Sequence, residues 1–261
     1  MKGPAAPTGP RAVWRGAWRL ARATWHGLHG LLIVVLLFRF LDDAGREARI
    51  RWWAGKLLRM LGMQLQVRGS FRAGAKLIVA NHVSWLDIMA VHAVCPQARF
   101  VSKAEVRDWP LVNRLVDAAR TLYLQRERAR DALRVVHQMA EALQAGDTVA
   151  VFPEGTTGAG QALLPFHANL LQAAIATGAP VQPVALRYAD ADRAVSAAAD
   201  FTGDITLGQS LWALARARGM QVQVQVLDAV GTRHADRRAL AAHLQALIAA
   251  ALDEQPVAGA P

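Results

Sequence analysis

Beyond Gly62, short apolar runs alternate with longer stretches in which apolar residues recur every three or four positions. The short runs predict strands over 64–68, 76–80, 98–101, 121–125, 148–152, 181–187 and 221–227. The longer stretches predict helices over 85–95, 110–119, 127–145, 168–177, 207–218 and 236–252. Strands separated mostly by helices predict an α/β domain over 63–261, built on one mixed β-sheet covered by helices. The last residues, 253–261, end Pro-Val-Ala-Gly-Ala-Pro and are expected to fray.

Residues 1–62 read differently. Positions 1–9 have no period, but from Arg11 onward Trp14, Trp18 and Trp25 recur at helical spacing, with Arg15, Arg19 and Arg22 about one residue round from them. Leu31 to Phe38 follows without a polar side chain; even stretched from Gly27 to Leu41 the run is 15 residues, short of the roughly 20 that span a bilayer. Asp42-Asp43 offers a break, and Ala44 to Leu61 resumes a helical pattern with Trp52, Trp53, Leu57 and Leu58 among basic residues. Two helices over 10–62, inserted into one leaflet with arginines reaching lipid headgroups, are the expectation. A helical pair packed on the domain, or forming a dimer, is the alternative.

Charge sharpens this picture. The chain carries a net +10, and residues 1–60 hold eleven Lys or Arg against three acids, so nearly all the excess is N-terminal. A basic arm suits nucleic acid or an anionic membrane. Five of the eight Trp lie in it beside the apolar run, which favours membrane lipids and not nucleic acid. No clean Ala-x-Ala site follows that run, so a secretory signal fits poorly. At 261 residues and 53% hydrophobic the chain suits one sizeable domain plus appendages. The lone Cys95 excludes an internal disulfide and a cysteine zinc cluster.

Candidate chemistry lies where the predicted strand 76–80 runs into Asn81-His82-Val83-Ser84-Trp85-Leu86-Asp87-Ile88. His82 and Asp87 are five apart, which within one helix would rotate them away from each other. Across a helix start they can meet: with Ser84 as N-cap, Asp87 is the third helical residue and leans back toward His82. A carboxylate can then hold one imidazole nitrogen while the other takes a proton from substrate. The plainer reading is Ser84-x-x-Asp87 as a capping pair with His82 in a loop. A second strand, 148–152, runs into Pro153-Glu154-Gly155-Thr156-Thr157-Gly158, a turn of small residues with one carboxylate.

Together, Asn-His-x4-Asp and Phe-Pro-Glu-Gly-Thr resemble the glycerolipid acyltransferase family, which includes 1-acylglycerol-3-phosphate acyltransferases. Further matches fall in the family's order: Lys103 in Phe100-Val101-Ser102-Lys103, Arg126 closing Leu122-Tyr123-Leu124-Gln125-Arg126, and Val181-Gln182-Pro183-Val184-Ala185. The resemblance covers about residues 60–230. It implies that His82 is the general base for attack of a glycerol hydroxyl on an acyl thioester, with Asp87 orienting it. It also implies that Arg126 and Lys103 hold the acceptor's phosphate, as a fork and a point charge. Glu154 matches the family's substrate-site carboxylate, binding acceptor hydroxyls or orienting a basic partner; Gly155 and Thr156 complete the loop, and Pro183 shapes the pocket. Backbone N–H groups of the 155–158 turn, or of the first turn at Ser84, are candidates for stabilising the oxyanion.

The implied reaction joins a fatty acyl chain from acyl-CoA or acyl carrier protein to the sn-2 hydroxyl of lysophosphatidic acid, giving phosphatidic acid without metal or cofactor. The implied location is the cytoplasmic face of a bacterial inner membrane. Departures from the family pattern bear on substrate choice: Arg120 stands where Gly is usual, Thr157-Gly158 replaces Arg-Ser, and His167 replaces a frequent basic residue. Another lysolipid, such as lyso-ornithine lipid, is the nearest alternative acceptor. Metal-dependent hydrolysis through His82, Asp87 and Glu154 lacks a second nearby His. An inactive lipid-binding scaffold sits poorly with an intact His-Asp pair.

Overall fold

The computed structural model describes residues 9–103, 112–124 and 129–254. Seven strands form one sheet: β1 (Met63–Arg68), β2 (Lys76–Ala80), β3 (Ala98–Lys103), β4 (Leu122–Leu124), β5 (Thr148–Val151), β6 (Val181–Ala189) and β7 (Met220–Val226). Their order is β1-β7-β6-β2-β5-β3-β4. Every neighbouring pair is parallel except β6–β7, so the sheet is mixed, as the alternation of strands and helices predicts. Six helices of the domain cover it: α3 (Leu86–Val94), α4 (Val112–Ala118), α5 (Ala129–Gln144), α6 (Gln172–Thr177), α7 (Leu207–Arg216) and α8 (Arg237–Glu254). The expected helix over 168–177 divides into a 3-10 turn, Ala168–Leu171, and α6. The last helix continues to Glu254, because Leu240, Leu244, Ile248 and Ala251 bury one stripe of it to the end; 255–261 lie outside the described residues.

Alternation along the central strands sorts the core into two layers. Leu77 and Val79 of β2, with Val149 and Val151 of β5, face α5, α6 and α8. Ile78, Ala80 and Ala150 face the other way, toward α3 and α7. Both faces of β2 and β5 are thus dry, which is why these strands read as unbroken apolar runs. The register pairs Ala80 with Val184, yet β6 continues to Ala189, five residues past the end of β2. That overhang stands beside the turn leaving β2.

The N-terminal helices are α1 (Pro10–Leu36) and α2 (Asp43–Met60), joined by a 3-10 turn at Phe38–Phe40. The break falls where the paired aspartates predict it, and Asp42 caps α2 by accepting from Gly45 N at 2.8 Å. One stripe of α1, including Ala12, Gly16, Ala23, His26, Gly30 and Ile33, is buried against α2 and α7. Glycine is required at position 30, where a Cβ would sit 2.2 Å from Trp53 Nε1. That indole donates to His26 O at 3.1 Å, while His26 Nε2 meets Trp53 O at 3.0 Å.

Two of the three arginines expected at lipid headgroups turn inward instead. Arg15 donates to Arg216 O at 2.5 Å, and Arg19 to Ala215 O and Ala217 O at 3.2 and 2.7 Å. The carbonyls at the end of α7 lack intrahelical donors and carry the negative end of the helix dipole, so they attract cations. The opposite stripe of α1 keeps its apolar residues exposed. Among the described residues no helix is long and apolar enough to cross a membrane.

Arg120, at the position where the resemblance expects glycine, takes φ 54 in the turn before β4, a left-handed conformation that explains that preference. His92, buried on α3 against the edge of Phe100, is held by burial down to about 4 from 6.5. The unfolded chain therefore takes up a proton that the folded state refuses, and stability is present above pH 6.5 and lost as pH falls toward 4. Between pH 7 and 5 this contribution falls by about 2 kcal/mol. Urea midpoints at the two pH values should show that loss in the parent protein, and His92→Leu should remove most of it.

Candidate active site

Where β2 ends, the side chain of Asn81 continues its ladder. The buried amide donates from Nδ2 to Leu186 O at 2.9 Å and accepts at Oδ1 from Leu186 N at 2.7 Å, standing in for a peptide unit. The turn after β2 is thereby fastened to β6 before His82 is reached.

His82 Nδ1 lies 2.7 Å from Asp87 Oδ2. The Asp87 carboxylate is 0% exposed, and Oδ2 also accepts from Val83 N at 2.7 Å and Ser84 N at 2.9 Å. Tyr188 on β6 donates its hydroxyl to Oδ1 at 2.7 Å. The imidazole face rests on Phe152, with ring centroids 4.0 Å apart and planes 7° from parallel, and Phe152 stacks in turn on Phe100. His82 is thus held at Nδ1 and across its ring face, while Nε2 has no partner among the described residues. Its side chain remains 19% exposed.

Ser84 departs from the expected capping role. Trp85, in helical conformation, precedes the first residue of α3, and no side chain caps it. The Ser84 hydroxyl is buried with no hydrogen-bond partner. Asp87 has taken over the task from inside the helix: its carboxylate gathers the amides of the preceding turn, as an ionised acceptor does more strongly than a hydroxyl. The Ser84 N–H, a candidate oxyanion donor, is occupied by this arrangement.

The turn after β5 grips the other side of His82. Glu154 is buried; Oε1 accepts from His82 N at 2.7 Å and Oε2 from Leu164 N at 2.8 Å. Gly158 N donates to His82 O at 2.8 Å, so one turn holds both polar groups of the His82 peptide. Burial raises the Glu154 carboxyl above its ordinary value, partly opposed by the two amide donors. Of the two roles expected from the resemblance, meeting acceptor hydroxyls or orienting a basic partner, the contacts here are with backbone: both Glu154 oxygens accept amides, one of them that of His82.

Gly155 adopts φ 71 with the His167 ring packed against it, a Cβ there lying 3.2 Å from His167 Cδ2. Its N–H is bonded to Phe152 O, and Gly158 is already engaged, which leaves Thr156 and Thr157 as the amides of the 155–158 turn without a partner among the described residues. Thr156 is exposed, and Thr157 Oγ1 donates to Phe201 O at 2.5 Å.

Because β2, β3, β4 and β5 are parallel, their carboxyl ends share one edge of the sheet. Neighbouring β2 and β5 then leave for opposite faces, toward α3 and α6, which opens the crevice where ligands bind in such sheets. Lys103 ends β3 at this edge, with its side chain outside the described residues; Arg126, two positions past β4, also lies outside them. A cavity of about 380 Å³, lined in part by Arg46, Lys76, Arg120 and Thr148, opens at the opposite edge, away from His82. Among the described residues no group of three His, Cys, Asp or Glu side chains is placed to hold a metal ion.

Sequence reasoning missed Tyr188, which lies 101 positions from Asp87 and one past the predicted end of its strand. The signal was the alternation Val184, Leu186, Tyr188, which continues the buried face of β6. Phe152, at the end of the predicted strand 148–152, is the surface on which His82 rests, a contact that no spacing in the chain signals.

A family model described as Acyltransferase matches residues 52–187. The chain is 38% identical over 207 residues to the lyso-ornithine lipid O-acyltransferase of Pseudomonas aeruginosa, covering 79% of each protein. It is 33% identical to the enzyme of the same name from Brucella abortus, over 83% of this chain and 86% of that one. With the 1-acyl-sn-glycerol-3-phosphate acyltransferase of Neisseria gonorrhoeae it shares 39% identity over 165 residues, 63% of this chain and 64% of that protein. The crystal structure of the 1-acyl-sn-glycerophosphate acyltransferase of Thermotoga maritima matches the fold with a TM-score of 0.68 at 22% identity, over 94% and 95% of the two chains.

A working N-cap costs about 1 kcal/mol to remove, whereas deleting a buried hydroxyl without a partner is nearly neutral. Ser84→Ala should therefore change the unfolding free energy by less than about 0.5 kcal/mol, measured by urea titration.

Proposed function

The chain belongs to the acyltransferase family, and we propose that it transfers a fatty acyl chain from acyl-CoA or acyl carrier protein to the sn-2 hydroxyl of lysophosphatidic acid, giving phosphatidic acid. The observation that carries this reading is the 2.7 Å contact between His82 Nδ1 and a fully buried Asp87, with Nε2 left open at the carboxyl edge of the sheet. An alcohol is a poor nucleophile at neutral pH and a thioester has a good leaving group, so the missing element is a base. His82 Nε2 takes the hydroxyl proton as the oxygen attacks the thioester carbonyl. Collapse of the tetrahedral intermediate breaks the C–S bond, and the imidazolium returns the proton to the departing thiolate. Asp87 keeps its charge and stabilises the imidazolium. One proton moves and one acyl bond replaces another, so the thioester is a co-substrate and no cofactor is invoked.

The amides of Thr156 and Thr157, without a partner among the described residues in the turn beside His82, are suited to the oxyanion. Gly155 supplies the backbone reversal that turns them. Lys103, the last residue of β3, and Arg126, two positions past β4, come at the ends of parallel strands that finish on the same edge of the sheet as β2, and they provide cations for the acceptor's phosphate. A second reading keeps the chemistry and takes lyso-ornithine lipid as acceptor; the longer matches to proteins of that name favour it.

The exposed stripe of α1 supports docking of residues 1–62 on a membrane, with residues 63–261 performing the transfer. Trp14, Trp18 and Trp25 are 76%, 64% and 73% exposed, followed by Leu32, Leu36 and Phe40. An amphipathic helix of this kind lies in the interface with its aromatic residues at headgroup depth. A bilayer's cytoplasmic leaflet in a bacterial inner membrane would present both the lysolipid and the soluble donor.

With purified protein, mixed lysolipids and acyl thioesters, His82→Ala and Asp87→Asn should each lower thiol release by about 10²-fold or more, with unchanged circular dichroism. Unchanged release from His82→Ala would sink the reaction. Mass spectrometry of the products separates the acceptors: activity on lyso-ornithine lipid alone would remove the phosphate role given to Arg126. Replacing Trp14, Trp18 and Trp25 together with Ala should move the protein from floated anionic vesicles to the soluble fraction; an unaltered distribution would contradict the docking of α1.

A further inference from the structure

We propose that Tyr188 is a positioning residue for the His82–Asp87 pair, its hydroxyl fixing the orientation and charge distribution of the carboxylate that faces the imidazole. The inference deepens the reading of His82 as general base and rests on it. Tyr188 is 2% exposed, and its hydroxyl lies 2.7 Å from Asp87 Oδ1. The other oxygen, Oδ2, carries three donors: His82 Nδ1, Val83 N and Ser84 N. Without the phenol, Oδ1 is a buried acceptor with no donor, in a site where Asp87 has no exposed surface. The carboxylate would then be anchored through Oδ2 alone, free to tilt about that oxygen, with its charge gathered on the atom that faces Nδ1.

The fold builds this contact deliberately far from the motif. β6 overhangs β2 by five residues; Leu186 on the overhang holds Asn81 through both amide bonds, and Tyr188, two residues on and on the same face, reaches Asp87. One strand segment thus fastens both ends of the turn that carries His82. Burial, and then the Asp87 charge, push the phenol well above its ordinary value, so at neutral pH it is protonated and donates. Glu154 also lies beside the pair, with its two oxygens engaged by His82 N and Leu164 N, and the His167 ring packs on Gly155 of the same turn.

A donor at Oδ1 draws charge away from Oδ2. Its removal leaves Oδ2 more negative opposite Nδ1 and favours the protonated imidazole; a stronger donor does the reverse. In Tyr188→Phe, kcat should fall roughly tenfold to a hundredfold with KM within about twofold, and the acid limb of the kcat profile should move to higher pH by about half a unit or more. The chain has two tyrosines, so biosynthetic 3-fluorotyrosine in a Tyr123→Phe background labels position 188 alone. That more acidic phenol should move the acid limb to lower pH relative to unlabelled Tyr123→Phe, and it tests the inference even where Tyr188→Phe does not fold. A folded Tyr188→Phe with unchanged kcat and pH profile, or shifts in the same direction for both changes, would overturn the proposal. If His82→Ala is active, the reading of the reaction fails; if His82→Ala is inactive and Tyr188→Phe behaves as the parent, only the role of Tyr188 fails.

Discussion

A carboxylate removed entirely from water must be met by donors from the protein, and around Asp87 that requirement organises the site. An uncompensated buried charge costs several kcal/mol, so each of its donors is structurally demanded. Four supply the need: an imidazole, two amides of the turn after β2, and a phenol from β6. No two of these constraints can be relaxed independently, because all converge on one side chain at the start of α3. The consequence for chemistry is that the imidazole has a single orientation, with one nitrogen bound and the other open.

The same logic extends outward from His82. Its peptide is held by Glu154 on one side and Gly158 on the other, and its ring by Phe152, so the turn after β5 and the end of β5 itself complete its surroundings. A buried Glu154 bonded to two amides makes that turn a clamp. Further along the same edge β3 and β4 also end, which is where the proposed phosphate-holding residues follow. General-base catalysis, as proposed for His82, depends on such rigidity, because a base displaced by an ångström no longer reaches its proton.

The N-terminal helices show how one sequence pattern can serve two surfaces. Arginines one residue round from the tryptophans lie between the two stripes of α1, and tertiary contact decides which way each turns. Arg15 and Arg19 find the open carbonyls of α7, whereas Trp14, Trp18 and Trp25 stay outside. The helical pair is consequently packed on the body of the protein through its small and basic residues, and free to meet another phase through its large apolar ones. Of the alternatives raised by the sequence, the structure shows the pair packed on the domain; the exposed stripe is what the proposed membrane docking draws on.

Local pattern alone determined the strands to within two residues, because a strand dry on both faces must be written as an apolar run and a covering helix as a 3.6-residue period. It also determined that His82 and Asp87 could meet, since five residues across a helix start is a local geometry. What the chain could not announce was every contact made between distant segments: Asn81 bridging to Leu186, Tyr188 reaching Asp87 over 101 positions, Glu154 serving the His82 peptide, and Asp87 displacing Ser84 as the cap. Those depend on strand register, on the length by which β6 outruns β2, and on which donors remain unsatisfied once water has left. Spacing along a chain encodes periodicity, but the satisfaction of buried polar groups is settled only when the elements are packed.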